Sequence, residues 1–160
     1  MADIIIIVVG YVIALIHFFF LNKDRSKAKL IDILFVYSLV FQVGGIGVFL
    51  GFVPHVFFAD KVAIGIGWPT GSPFQKEVGI HDGVWGLLGF LCIKYKNGFR
   101  AATAIGWALF MFGAAVGHVV QSINEGNFAE YNFLMIFVDF FVAFALPALL
   151  YLSYKNPLEK

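Results

Sequence analysis

Long apolar stretches constrain this 160-residue chain more than any other feature of its sequence. A helix needs about 20 apolar residues to cross about 30 Å of hydrocarbon. Five stretches approach that length, at residues 4–21, 30–52 (extending as far as Phe58), 73–95, 101–122 and 131–154. The sequence therefore predicts an all-α fold, an integral membrane bundle of five transmembrane helices, with residues 1–160 forming a single transmembrane domain.

The composition excludes several other classes of protein. Apolar residues make up 61% of the chain, charged residues only 13%, and the formal net charge is +1. Disordered segments need low hydrophobicity and high net charge, and nucleic-acid binding needs a broad basic face, so the sequence predicts no nucleic-acid partner. Cys92 is the single cysteine, which excludes an intrachain disulfide framework and any multi-cysteine zinc or iron–sulfur site.

The basic residues between the stretches predict an orientation. Lys and Arg number four in residues 22–29, three in 94–100 and two in 155–160, whereas the segments on the other side contain only Lys61 and Lys76. Cytoplasmic loops carry an excess of Lys and Arg. We therefore expect a multi-pass protein of the cell membrane, with its N-terminus outside, its C-terminus cytoplasmic and the lipid bilayer as its surroundings.

One segment carries a helix-start signal. Ser72 is a suitable N-cap, Pro73 suits the first helical position, and Gln75 completes a Ser-x-x-Gln capping box. The third helix is therefore predicted to begin at Pro73.

Small residues recur at helix-contact spacing. Close backbone approach drives helix association in lipid. The Gly-x-x-x-Gly pairs are Gly47/Gly51, Gly79/Gly83 and Gly113/Gly117. Three such pairs favour a tight bundle or a homo-oligomer.

Polar residues inside the stretches are the candidate functional residues, because ionisable groups in a membrane are costly. They concentrate in the predicted outer halves of the third, fourth and fifth stretches. Glu77 and His81 are four residues apart and share one helix face, as do Asn132 and Asp139, seven apart. We expect them to converge in one outward-facing polar pocket. The candidate ligand-binding residues are Glu77, His81, His118, Gln121, Glu130 and Asp139.

Three uses of this pocket are compatible with the residue types. Glu77, His81, His118 and Asp139 would suit a divalent metal such as iron, zinc or manganese. His81 and His118 could ligate a haem. The favoured interpretation is that the pocket receives a proton, a quinone or another small amphipathic ligand, with histidine and carboxylate exchanging protons. The protein would then be a ligand-binding or accessory membrane subunit, and whether it is an enzyme stays open.

A structural interpretation competes with these three. The same polar side chains could simply satisfy one another's hydrogen bonds while the glycine faces assemble the bundle or an oligomer. Asp32, beside the basic first loop, is predicted to pair with it, and His55 to end the second helix at the outer interface.

Several segments carry a resemblance to a known family. They are residues 66–79, from Ile66-Gly67-Trp68-Pro69 to Lys76-Glu77-Val78-Gly79, together with residues 99–104, Gly117-His118, Asn127-Phe128 and Asp139. These resemble a family of small, uncharacterised prokaryotic multi-span membrane proteins, a domain-of-unknown-function group that is remotely DoxX-like. The resemblance covers about residues 50–145. It implies recurrent polar positions at Glu77, His118, Glu130 and Asp139, and a departure from the family pattern at His81 and Asp82. DoxX-like proteins are small membrane partners of quinone-linked redox systems, which implies an analogous membrane partner here.

Overall fold

The computed structural model describes residues 1–158, and every regular element within them is a helix. In chain order these are α1 (Ala2–Leu21), α2 (Lys27–Phe57), α3 (Ala59–Ile66), α4 (Phe74–Leu91), α5 (Gly98–Asn124) and α6 (Glu130–Lys155). The all-helical prediction is confirmed. Glu159 and Lys160, which entered the charge count above, lie outside the described residues.

Among residues 1–158, four helices are long and apolar enough to cross a membrane: α1, α2, α5 and α6. The sequence predicted a fifth span at residues 73–95. Helix α4 occupies that region with 18 residues, and it carries Lys76, Glu77 and Asp82. The structure thus has four candidate spans, and α4 is a shorter and more polar helix.

Glycines allow α2 and α4 to pack with their backbones in contact. A Cβ atom built at Gly47 would lie 2.7 Å from the carbonyl oxygen of Asp82 and 2.9 Å from Cα of Gly86. Gly79 and Gly83 of α4 likewise face side chains of α2 within 3 Å of a Cβ position. The prediction that these glycines mark a close helix contact is confirmed, and the contact lies within the chain.

The third glycine pair behaves differently. A Cβ atom built at Gly113 or at Gly117 would meet no other described atom within 4 Å. Helix α5 therefore packs on α6 through larger residues. Trp107 of α5 and Leu146 of α6 are among the most completely buried side chains of the core.

The central part of α2, residues Leu39–Phe52, is a π-helix. This rare form has i→i+5 hydrogen bonds and occurs frequently at functional sites. It contains Gly44, Gly45 and Gly47, and it provides the face on which α4 packs.

Helix α1 turns most of its apolar surface outward. Ile5 and Val8 are more than half exposed, and Ile4, Val9 and Val12 are at least 40% exposed. This is the surface that a lipid-facing helix presents, as its branched apolar sequence suggested.

Ion pairs and a hydrogen bond join three helices at one end of the bundle. Asp32 of α2 lies 3.5 Å from Nζ of Lys29 and 3.3 Å from a terminal guanidinium nitrogen of Arg100 at the start of α5. The Nε of Arg100 also donates to the carbonyl oxygen of Cys92, just after α4, at 2.8 Å. The predicted pairing of Asp32 is confirmed. The start of α2, the end of α4 and the start of α5 meet here, so these helices alternate in direction.

The predicted capping box does not form. Helix α4 begins at Phe74, whose backbone N–H donates to the Ser72 hydroxyl at 3.3 Å. The Gln75 amide oxygen instead lies 2.6 Å from Nδ1 of His55 on α2. The Gln75 side chain, which is only 2% exposed, thus bonds a buried imidazole on the neighbouring helix and does not cap α4.

Helix α3 was not predicted. It has eight residues and ends at Gly67, whose φ of 81° stops the helix in the left-handed region. Only Ala63 and Ile66 of its residues are buried. With eight residues, the helix is too short to contain the long apolar run by which the other helices were predicted.

Candidate functional site

A cavity of about 270 Å³ lies at the end of the bundle opposite the Asp32 ion pairs. Each of the six described helices contributes at least one lining residue. The ionisable lining residues are Asp3, His55, Asp82, His118, Tyr131 and Asp139, and Gln121, Trp68 and Trp107 add further polar atoms. The structure therefore contains a pocket between the helices that includes several polar side chains, and its lining overlaps in part with the candidate residues named from the sequence.

Asn132 organises the polar network behind the cavity. It is fully buried, and its side-chain N–H groups donate to the carbonyl oxygen of Asn127 at 2.9 Å and to the Ser122 hydroxyl at 3.1 Å. Its amide oxygen therefore faces Nδ1 of His118, at 2.7 Å. Because an amide oxygen can only accept a hydrogen bond, Nδ1 of His118 must carry the proton.

The other ring nitrogen of His118 faces an aspartate. In the neutral imidazole, Nε2 is then an acceptor, and it lies 3.7 Å from Oδ2 of Asp139. That separation is within ion-pair range but too long for a direct hydrogen bond. A ligand atom could bridge the two groups, and a proton on either group would be stabilised by the other.

Three carboxyl groups converge on the cavity from three different helices. Asp3 comes from α1, Asp82 from α4 and Asp139 from α6, and all three are at most 7% exposed. Among residues 1–158, no Lys or Arg lines this cavity. Its polar side therefore favours protons, hydrogen-bond donors or a positively charged group.

Aromatic and apolar side chains also line the cavity, among them Trp107, Phe110, Met111 and Met135. The indole N–H of Trp107 is buried and has no hydrogen-bond partner among the described residues. Buried donors normally have a partner, so this N–H is an exception.

A second set of hydrogen bonds closes the rim. The Trp68 indole N–H donates to the amide oxygen of Gln121 at 2.6 Å. Asn127 donates to the carbonyl oxygen of Ile66 at 2.9 Å. These bonds fix the segment after α3 against the end of α5.

The residues predicted for the site divide into two groups. His118, Gln121 and Asp139 line the cavity. Glu77, His81 and Glu130 are exposed and do not line it. His81 contacts the ring of Phe110 and accepts a hydrogen bond from the indole N–H of Trp85 at 2.9 Å.

The metal-ligand set named from the sequence was Glu77, His81, His118 and Asp139. Within the described part of the chain, no group of three or more His, Cys, Asp or Glu side chains is arranged to hold a metal ion. Only His118 and Asp139 of that set lie together. His81, the second histidine of the haem interpretation, lies outside the cavity lining.

Sequence reasoning missed Asp3, His55 and Asp82 as cavity residues. A signal for Asp82 was present, because Phe74, Val78 and Asp82 recur every four residues and line the cavity together. Asp3 precedes the first apolar stretch, and nothing in the sequence indicated that it would be buried beside the cavity at 3% exposure. His55 is only 8% exposed and bonds Gln75.

These features define a class: an all-helical protein with four candidate membrane spans and a polar cavity where its helices meet at one end. The chain belongs to a family of unknown function, DUF6790, whose model matches residues 1–159. The family resemblance seen in residues 50–145 thus extends along nearly the whole sequence. Comparison with curated proteins and with solved structures gives no match.

Proposed function

We propose that this protein is a five-span membrane protein whose cavity binds a small amphipathic ligand and exchanges a proton with it through His118 and Asp139. The observation that carries this proposal is the cavity itself, whose lining combines carboxyl and imidazole groups with aromatic and apolar side chains. Small-molecule sites typically combine an apolar lining with a few convergent polar groups.

The fifth span is α4. Its 18 residues give a length of about 27 Å at 1.5 Å per residue, close to the hydrocarbon thickness. It contacts α2 along its length, from Gly79 beside His55 to Gly89 beside Gly44, so it shares the depth of a helix that meets the criteria for spanning. Its buried Asp82 faces the cavity and not the outer surface.

A thiol-labelling experiment tests this topology. In a Cys92→Ser background, Ser72→Cys is expected to react with a membrane-impermeant maleimide in intact cells, whereas Lys94→Cys and Ser26→Cys are expected to react only after lysis. This pattern places the ends of α4 on opposite sides, with the N-terminus outside. Labelling of Lys94→Cys and Ser72→Cys from the same side would refute the fifth span.

The ligand chemistry follows from the donors and acceptors in the cavity. A protonated His118–Asp139 pair can donate to a carbonyl oxygen. The same pair, deprotonated, can accept from a hydroxyl group. A planar ring bearing carbonyl or hydroxyl groups, as in a quinone and its reduced form, fits both this polarity and the aromatic side chains of the lining. The proposal assigns binding and proton exchange to the chain, in an accessory role.

Fluorescence quenching tests the binding step, because Trp68 and Trp107 line the cavity. Ubiquinone-1 titrated into the protein in lipid nanodiscs is expected to give saturable quenching. Asp139→Asn should weaken the apparent affinity about tenfold or more, the effect of losing a hydrogen bond to a charged group. Asp24→Asn is the matched control, because Asp24 lies in the first loop, where it accepts a hydrogen bond from the Ser26 N–H.

Two results would contradict this function. Quenching that rises linearly would show only partition of the probe into lipid. Equal affinity in Asp139→Asn and Asp24→Asn would remove the cavity from binding. A lowered unfolding temperature in Asp139→Asn without saturable binding in the native protein would favour a structural role for the polar network.

A further inference from the structure

A second pocket lies at the other end of the bundle, beside the Asp32 ion pairs. It has a volume of about 390 Å³, and among residues 1–158 its cationic lining side chains are Lys29, Lys96 and Arg100, with Asp32 as the single carboxylate. We propose that this basic pocket binds a phosphate group, carried by an anionic lipid headgroup or by free phosphate. It uses none of the cavity residues of the proposed function.

The charge balance of the basic pocket favours an anion. Three cationic side chains against one carboxylate leave a net charge of +2 among the lining residues. Asp32 neutralises part of this charge by pairing with Lys29 and Arg100. Lys96 lines the same pocket and forms no ion pair with any of residues 1–158.

Arg100 is held in a fixed position for such a ligand. Its side chain is only 11% exposed, its Nε donates to the Cys92 carbonyl, and one terminal nitrogen pairs with Asp32. The other terminal nitrogen makes no hydrogen bond with a described residue. A planar guanidinium fixed in this way presents its remaining donors to a phosphate oxygen without a further loss of side-chain freedom.

The rest of the pocket is amphipathic. Phe35 and Leu150 contribute apolar surface between α2 and α6, while Asn97 and Tyr154 contribute polar atoms. A lipid places its phosphate beside glycerol and acyl carbons, so this lining suits a headgroup with the start of its chains. Basic pockets between transmembrane helices on the cytoplasmic side bind such headgroups.

The general excess of basic residues on the cytoplasmic side does not account for this arrangement. That excess requires only that Lys and Arg lie in the loops. Lys94 satisfies it without lining the pocket, since its ammonium group lies over the Tyr95 ring, 5.5 Å from the centroid. Lys94 and Lys96 therefore form a matched pair in one loop, and only Lys96 lines the pocket.

The experiment compares Lys96→Gln with Lys94→Gln. Native mass spectrometry of the detergent-solubilised protein measures retention of dioleoylphosphatidylglycerol against dioleoylphosphatidylcholine. A parallel titration with inorganic phosphate, against chloride at equal ionic strength, measures the shift in unfolding temperature. Lys96→Gln should lower the affinity for the anionic probe, phosphatidylglycerol or inorganic phosphate, about fivefold, and Lys94→Gln should leave it unchanged. Both lysines are exposed, so neither variant threatens the fold.

The two probes separate the sources of phosphate. Binding of phosphatidylglycerol with no response to inorganic phosphate identifies a lipid site, and the reverse identifies a site for free phosphate. Binding of both probes supports the shared chemistry. The proposal is overturned if neither probe binds, or if Lys94→Gln and Lys96→Gln weaken binding equally, since the attraction would then be a diffuse surface effect. Failure here leaves the ubiquinone-1 result untouched, because that experiment probes the opposite end.

Discussion

Gly47→Ala is expected to force α2 and α4 apart. The new Cβ atom would lie 2.7 Å from the Asp82 carbonyl oxygen and 2.9 Å from Cα and N of Gly86. All three are backbone atoms, so no side chain can rotate to relieve the contact. Moving the shortest contact from 2.7 Å to an ordinary 3.4 Å separates the two backbones by about 0.7 Å.

The cost can be estimated from the contacts that this separation weakens. A gap of 0.5–1 Å forfeits about a quarter to a half of the dispersion energy of each contact, and overpacking a well-packed contact costs about 1–3 kcal/mol. The overpacking cost lies near the upper value of this range, because the atoms that clash with the new Cβ belong to the backbone and cannot rotate away. Alanine recovers up to about 1 kcal/mol over glycine through helix propensity. The expected net loss in the free energy of unfolding is about 2 kcal/mol, by the difference of these two values.

Gly113→Ala is the matched control, because nothing lies within 4 Å of its Cβ position. It should be neutral or stabilising by up to about 1 kcal/mol. At about 2–4 °C per kcal/mol for a chain of this size, the two variants should differ by about 4–12 °C in unfolding temperature. The buried Cys92 provides the assay, since a thiol-reactive fluorogenic dye labels it only on unfolding. Equal unfolding temperatures for the two variants would refute backbone contact between α2 and α4.

Two further substitutions test the polar networks at the two ends. Asn132→Ala removes the buried amide that bonds His118 and should lower the free energy of unfolding by about 2–4 kcal/mol. Asn124→Ala, at an exposed position of α5, should change the free energy of unfolding little. Chemical denaturation in detergent compares the two variants, and equal effects would contradict the hydrogen-bond network around Asn132. Asp32→Asn removes the ion pairs with Lys29 and Arg100 and should lower the free energy of unfolding by about 1 kcal/mol in low salt. This loss of stability should shrink as salt is added. A loss that is independent of salt would show that packing, and not charge, stabilises this end of the bundle.

The existence of the long helices was predictable from the sequence, because hydropathy over about 20 residues is a strong signal. The helix in the third region was predicted, but its status as a span was not settled. Lys76, Glu77 and Asp82 lower its hydropathy, while its glycines place it against α2. Hydropathy averages over every residue of a helix. In α4 that average includes Asp82, which is buried beside the cavity, as well as the exposed Lys76 and Glu77.

The membership of the cavity was less predictable. The position of a residue in the sequence gives its depth along a helix. By this criterion His118, Gln121 and Asp139 were expected at the same depth, and all three line the cavity at one end of the bundle. It does not give rotation about the helix axis. On α4 the cavity face runs through Asp82, one residue and about 100° from the His81 face on which the sequence analysis relied. The rotation is set by where the glycines contact α2, which periodicity alone does not reveal.

The cavity lies between two closely packed helix pairs, and this position explains how an occupant would act on the protein. One pair is α2 with α4, in contact through glycine backbones, and the other is α5 with α6, joined through Trp107 and Asn132. Asp82 belongs to the first pair and Asp139 to the second, and both line the cavity. Two ionised carboxylates that face one cavity would repel each other. Under the proposed function, an occupant that brings a proton or donates hydrogen bonds to both would remove that repulsion, and binding would then favour the approach of the two pairs.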